Sequence, residues 1–229
     1  AKNKNLDLED GDYHHIKNVM KMKRGDLIKV VYDNVIYTCK LNNVSNKSTF
    51  DIINKEEKTD KKLSVSVAFS LIKEQKLNYL LQKTTELGVN KLIPIETKRS
   101  VVKIEGNKEK TKIDRWKKIC KEASEQSFRA DIPEISDILT LKNLVNLDYD
   151  LKLVCSLNKN TKNIKKILEK NNKCVKILLV VGPEGGFDPL EEEYLLENGF
   201  KSVSLGENVL RAETAPVVAL SMINYEFMR

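Results

Sequence analysis

The sequence predicts an α/β protein in which a domain with a mostly parallel sheet, covered by helices, follows a small β-barrel. Three observations carry that expectation. From Ser64 to the end of the 229-residue chain, short apolar runs alternate with segments striped at helical spacing, the pattern of strand–helix–strand units. Residues 13–62 instead hold short strand-like runs separated by turn residues. Between the two, NKEEKTDKK (Asn54–Lys62) contains no apolar residue and reads as a linker. The expected domains are therefore residues 1–63 and 64–229.

In the first domain, Arg24-Gly25-Asp26 turns the chain into LIKVVYD (Leu27–Asp33). VIYTCKL (Val35–Leu41) follows after Asp33-Asn34, a tight-turn pair, and STFDII (Ser48–Ile53) supplies a third strand. The second domain opens with the strand SVSVAFSLI (Ser64–Ile72). Lys73–Leu87 is expected to be a helix, because Leu77, Leu80, Leu81, Thr84 and Leu87 share one side and Gly88 ends it. KLIPI (Lys91–Ile95) is the next strand and Ile113–Phe128 the next helix. DLKLVCS (Asp150–Ser156), Thr161–Lys170 and VKILLVV (Val175–Val181) repeat the alternation. Asp188 then caps a helix, with Pro189 in its first position and Glu191 completing a capping box. KSVSL (Lys201–Leu205) is the last strand, and Thr214 to Phe227 a terminal helix.

Hydrophobic residues at 41% allow a sizeable core, and charged residues at 32% fit a folded, water-facing chain. No apolar run approaches the length of a membrane span, and Ala1–Asp12 lacks an apolar signal segment, so a cytoplasmic protein is expected. Cys39, Cys120, Cys155 and Cys174 form no CxxC pair, and the only histidines are the adjacent His14 and His15. That composition points to reduced thiols and to no metal site. The net charge of +7 is uneven: residues 66–145 carry 16 basic against 11 acidic residues, and residues 146–229 carry 11 against 12. Lys98–Lys121 alone holds 10 basic and 3 acidic residues. A basic front suits a polyanion, although a chain this rich in lysine also places many lysines on plain solvated helix faces. Trp116, the only tryptophan, is better suited to a core or an interface than to base stacking.

Two loops follow the last two expected strands. They are GPEGGF (Gly182–Phe187) and GENVLRAET (Gly206–Thr214). Ligands gather beyond the carboxyl ends of parallel strands, and glycines there let backbone N–H and C=O groups approach a flat heterocycle. The first loop lacks the Lys and Ser/Thr of a P-loop and the spacing of a dinucleotide fingerprint. On its residues alone it also fits a plain turn, with Glu184 solvated, and Arg211 with Glu213 fits a pair across a turn.

LLVVGPEGGFDPLEEEYLLENGF (Leu178–Phe200) followed by SLGENVLRAETAPVVALSMI (Ser204–Ile223) resembles the bacterial small-subunit rRNA uridine-N3 methyltransferases. LNYLLQKTTELGVNKLIPIETKRS (Leu77–Ser100), RWKKICKEASEQSFRADIPEI (Arg115–Ile135) and HHIKNVMKMKRGD (His14–Asp26) extend the resemblance in the same order over nearly the whole chain. Val209 stands where Ile is usual. Lys21 stands where Arg is usual, which keeps the charge but loses the planar phosphate grip. The resemblance implies a PUA-like barrel followed by a SPOUT domain with a deep C-terminal trefoil knot. It implies S-adenosylmethionine held by Leu157, Gly182, Pro183, Glu184, Gly185, Leu205, Gly206, Val209, Leu210, Thr214 and Ala215. It further implies a homodimer acting on small-subunit ribosomal RNA, free or in the assembled particle, with RNA contacts at Lys17, Lys21, Lys23, Arg24, Arg99 and Arg129. Arg211 is the expected catalytic residue, with three roles open to it: gripping a phosphate, stabilising a deprotonated uracil, or holding its loop. A sulfonium-borne methyl is already electrophilic, so this chemistry asks for alignment rather than for a metal. Two alternatives remain at this stage. One is an RNA-binding protein with a degenerate cofactor site, and the other a nucleotide-phosphate enzyme using GPEGG as an anion cradle.

Overall fold

The computed structural model describes residues 15–32, 35–45, 48–57, 63–104, 106, 108–158 and 161–227. The expected turn at Asp33-Asn34, the Lys58–Lys62 part of the expected linker, and His14 lie outside them. The chain divides into two compact units, Ala1–Asp60 with Phe128–Asp131, and Lys61–Ser127 with Ile132–Arg229.

The described strands of the smaller unit are β1 (Leu27–Tyr32), β2 (Val35–Leu41) and β3 (Phe50–Glu57), an antiparallel sheet in that order. Register places Tyr32 opposite Val35 and Leu41 opposite Phe50, with a bulge between Thr38 and Cys39. Ile16, from the π-helical turn His15–Val19, packs with Cys39, Leu41 and Phe50 in a small core. β3 runs on through Asn54–Glu57, where the sequence suggested a linker. Asp51–Glu56 is exposed, and an edge strand with both faces in water needs no apolar alternation, so its charges gave no strand signal.

The larger unit holds a seven-stranded sheet in which every pairing is parallel. Its strands are β4 (Ser64–Ser70), β5 (Lys91–Ile95), β6 (Glu134–Ile135), β7 (Leu151–Cys155), β8 (Lys162–Asn163), β9 (Lys176–Val181) and β10 (Lys201–Ser204). Their spatial order is β6-β5-β4-β9-β7-β10-β8. The helices are α1 (Glu74–Glu86), α2 (Lys108–Gln126), α3 (Leu141–Val145), α4 (Ile164–Lys170), α5 (Pro189–Glu197) and α6 (Ala215–Phe227). Because both faces of the sheet are covered, its central strands read as unbroken apolar runs. Val65, Val67, Phe69, Leu179 and Val181 belong to one core, and Ala68, Leu178 and Val180 to another. Trp116 on α2 is buried in the first, edge-on to Phe69 at 6.4 Å between ring centroids.

α2 begins five residues before the expected Ile113, at Lys108. Its first turns are charged and mostly exposed, good helix formers that carry no apolar stripe. α1 buries Leu77, Leu80, Leu81 and Thr84 as its spacing indicated, and Gly88 at φ +87° ends it. The side-chain amide of Asn224 on α6 donates to the Leu87 carbonyl at 2.7 Å, tying the terminal helix to the end of α1. α5 has the full capping box: Leu190 N–H donates to Asp188 Oδ1 at 3.1 Å and Asp188 N–H donates to Glu191 Oε2 at 3.1 Å. Asp188→Ala is expected to cost about 1 kcal/mol of stability, read as a lower urea midpoint at unchanged slope.

Candidate cofactor and RNA site

Since all strands of the large sheet run the same way, one edge collects every carboxyl end, where open parallel sheets bind ligands. Strand order puts β9, β7 and β10 side by side. Leu157 follows β7, Gly182-Pro183-Glu184-Gly185 follows β9, and Leu205, Gly206, Val209 and Leu210 follow β10. Thr214 and Ala215 lead from that last loop into α6. Topology thus gathers at one edge the segments that sequence spacing only suggested. Leu157 and Val209 are largely exposed there, while Leu205 and Leu210 pack on the first core.

Both loops are shaped by glycine. A Cβ on Gly182 would stand 3.1 Å and 3.2 Å from ring carbons of Phe187 and 3.2 Å from its backbone nitrogen. Gly206 has φ +145°, a conformation that L side chains rarely adopt. Ser204 braces that turn, its hydroxyl donating to the Gly206 carbonyl at 3.0 Å.

The first loop is also held from outside. Arg99 Nη1 donates to the Gly185 carbonyl at 3.1 Å, and the Lys98 N–H donates to Glu191 Oε1 at 2.8 Å. Ser70 Oγ donates to the Val181 carbonyl at 3.3 Å and accepts from Thr97 Oγ1 at 3.1 Å, and Thr97 in turn meets Ser100 Oγ at 2.8 Å. Lys76 Nζ on α1 donates to Glu184 Oε1 at 2.9 Å. Partial burial alone would raise the Glu184 carboxyl, but the Lys76 hydrogen bond, its own backbone N–H and the charges of Lys76 and Lys73 outweigh it and hold the group below the usual carboxylate range. The pair therefore stabilises the fold above that range, and this contribution disappears as pH falls through the lowered value. Sequence reasoning did not find Ser70, Lys76 or Thr97. Lys76 and Glu184 stand 108 positions apart, so neither residue carries a local signal.

In the second loop, Arg211 is exposed and Glu213 is buried at 8% exposure, and no ion pair joins them. The Arg211 carbonyl instead accepts from the N–H groups of Thr214 (2.9 Å) and Ala215 (3.0 Å). Arg211, Glu213 and Thr214 line a cavity of about 360 Å³ together with Gln75, Lys76 and Tyr79 of α1. Glu213 Oε2 is buried and has no hydrogen-bond partner.

The basic residues named for RNA fall into different settings. Lys17, Lys21, Lys23 and Arg24 are exposed on the smaller unit. Arg99 grips the first loop, as described. Arg129 is buried, with its guanidinium 2.5 Å from Asp131, so its charge is matched inside the fold. Within Lys98–Lys121, Lys112 and Arg115 bind Glu74 of α1 and hold its carboxyl below the usual range, whereas Lys117 and Lys118 are exposed. All four cysteines are free thiols, and burial pushes Cys155 up to about 12. Among the described residues, no group of three His, Cys, Asp or Glu is placed to hold a metal ion, and no helix is long and apolar enough to cross a membrane.

Residues 59–224 match the model of an RNA methyltransferase domain, and residues 8–53 that of an RNA methyltransferase PUA domain. Over 225 residues the chain is 37% identical to the ribosomal RNA small subunit methyltransferase E of Bacillus subtilis, covering 94% of this chain and 88% of that protein. The chain belongs to the ribosomal RNA small subunit methyltransferase E family. Methyltransferase E of Mesomycoplasma hyopneumoniae is 34% identical over 211 residues, which cover 91% of this chain and 88% of that one. The crystal structure of methyltransferase E from Neisseria gonorrhoeae bound to S-adenosyl methionine superposes with a TM-score of 0.87 at 26% identity, over 98% of this chain and 93% of that chain.

Proposed function

We propose that this member of the methyltransferase E family transfers a methyl group from S-adenosylmethionine to N3 of a uridine in small-subunit ribosomal RNA. The observation that carries this reading is the meeting of three loops at the carboxyl edge of β9, β7 and β10, in a fold shared over 98% of the chain with a relative that binds the cofactor. The loops fit such a ligand. Gly182 and Gly206 are positions where a side chain would crowd or strain the backbone, which leaves main-chain groups to read a heterocycle. Leu157, Gly182–Gly185, Leu205, Gly206, Val209, Leu210, Thr214 and Ala215 would hold the cofactor. When bound, it supplies a sulfonium methyl whose carbon takes an electron pair from uracil N3 while the carbon–sulfur pair stays on sulfur.

The protein's own residues do the rest. N3 lies on the Watson–Crick edge, so the base must be unpaired or flipped out to reach the site. Arg211, exposed and lining the α1 cavity, would stabilise the charge that develops on the uracil ring. The Lys76–Glu184 pair and the Arg99–Gly185 bond hold the first loop in shape. Lys17, Lys21, Lys23 and Arg24 contact RNA phosphate, residues 1–63 being the RNA-binding domain and residues 64–229 the catalytic one. A C-terminal trefoil knot, a homodimer and a cytoplasmic location belong to the same reading.

Calorimetric titration with S-adenosylhomocysteine tests it: binding is required, while a nucleoside phosphate binding in its place would support the anion-cradle alternative. Mass mapping of rRNA from a deletion strain should reveal one uridine lacking its N3 methyl. RNA affinity is expected to fall steeply with salt, and neutralising Lys23 or Arg24 should each flatten the log–log slope by roughly 0.7–0.9. Neutralising Lys117 and Lys118 should act in the same direction. A slope unmoved by all four would remove the basic surface from the model.

A further inference from the structure

The buried carboxylate of Glu213 has no role in the fold as described. One oxygen of that carboxylate, Oε2, is shielded from water and lacks a hydrogen-bond partner, which is costly. Glu213 lines a cavity whose other walls include two cations, Lys76 and Arg211, an amide, Gln75, and a half-exposed aromatic ring, Tyr79. Lys76 also binds Glu184 of the first loop, and Arg211 to Thr214 belong to the second. The cavity therefore stands where the two loops meet α1.

We propose that this cavity receives the target uracil and that the Glu213 carboxylate accepts the proton from its N3. The inference rests on the methyltransferase reading above and assigns the proton acceptor within it. Uracil is a flat ring with one N–H donor on N3 flanked by two carbonyl acceptors. Glu213 supplies the acceptor for that donor, Lys76 and Arg211 supply cations for the carbonyl oxygens, and Tyr79 supplies a face for the ring. As the N3–H bond breaks, its electron pair stays on N3, where it becomes the pair that bonds the methyl carbon. The proton rests on the carboxylate and leaves to water once the base departs. The cations stabilise the negative charge on the uracil ring once its proton has passed to the carboxylate.

Two variants and three readouts test the assignment. Glu213→Gln keeps the shape of the side chain and removes the base. Its single-turnover methyl transfer to an rRNA fragment should be slower by on the order of 10²-fold or more near neutral pH. That gap should narrow as the buffer approaches about pH 10, where uracil N3 begins to lose its proton unaided. The affinity for S-adenosylhomocysteine should stay within about threefold, because the residue serves the base and not the cofactor. The third readout needs no cofactor. The unmodified full chain should bind a uridine-bearing fragment about tenfold more tightly than the same fragment with N3-methyluridine, and Glu213→Leu should erase that preference. A wild-type rate in Glu213→Gln, a gap constant across pH, a parallel loss of cofactor binding, or a preference surviving in Glu213→Leu would each overturn the assignment while leaving the methyltransferase reading intact. Absence of methyl transfer by the unmodified chain would instead overturn that reading, and the assignment with it.

Discussion

Arg211→Ala is expected to slow single-turnover methyl transfer by ~10²–10³-fold while S-adenosylhomocysteine affinity changes only a few-fold. The geometry gives the reason. Arg211 is exposed and lines the α1 cavity, whereas its carbonyl, not its side chain, shapes the turn by accepting from Thr214 and Ala215. Alanine keeps that carbonyl, so the loop should persist and only the charge should be lost. Arg211→Lys should restore little if a planar, two-pronged donor is what the uracil requires. Rates and cofactor titrations on both variants decide the matter. Equal losses of rate and cofactor affinity would make Arg211 a support for its loop and would return the third of its open roles.

The second large effect is expected at Gly182. Gly182→Val should weaken S-adenosylhomocysteine binding by roughly 10²-fold or more while the far-ultraviolet circular dichroism stays that of the parent. A Cβ there meets the Phe187 ring and backbone nitrogen at 3.1–3.2 Å, so the first loop must open to admit it. The sheet beneath can stay as it is, since β9 is paired along its length with β4 and β7. Calorimetry and a thermal melt on the same sample check both halves. Normal cofactor binding in the valine variant would show that the exit of β9 is not part of the cofactor site.

How much of this was legible in the sequence follows from how local each signal is. The α5 capping box could be read directly because Asp188, Pro189 and Glu191 act on one another within a turn. The two glycine loops were legible for the same reason, and the parallel sheet followed from strand–helix alternation. The two-residue strands β6 and β8 were not, because each exists only through its neighbour: Leu92 for Ile135 and Val203 for Lys162. Glu213 reads in sequence as an acid in a polar turn, and only the packing of its loop against the sheet shows it buried. Arg129 differs in the opposite sense from the other basic residues named for RNA, since nothing in RADI announces that its guanidinium is buried against Asp131. The assignment of Lys76 had to wait for the fold that brings α1 beside a loop more than a hundred residues later.

The place of β9 between β4 and β7 also sets the order in which the chain can be completed during synthesis. β4 pairs with β9 from Ser64–Lys176 to Phe69–Val181, so the apolar run VSVAF emerges from the ribosome long before its neighbour on that side. At ~5–20 residues per second the interval is on the order of ten seconds. Over that time β6, β5 and β4 can assemble only a half-sheet with an unsatisfied apolar edge, and β7 has no strand to join it to them. The nascent protein thus carries an open, sticky margin until its last third arrives, and that margin is closed by a strand inserted into the middle of the sheet rather than added at its rim. Slow, late closure of this kind favours release of the whole chain before the fold is sealed, and makes yield more sensitive to temperature and holding chaperones than a sheet built in sequence order would be.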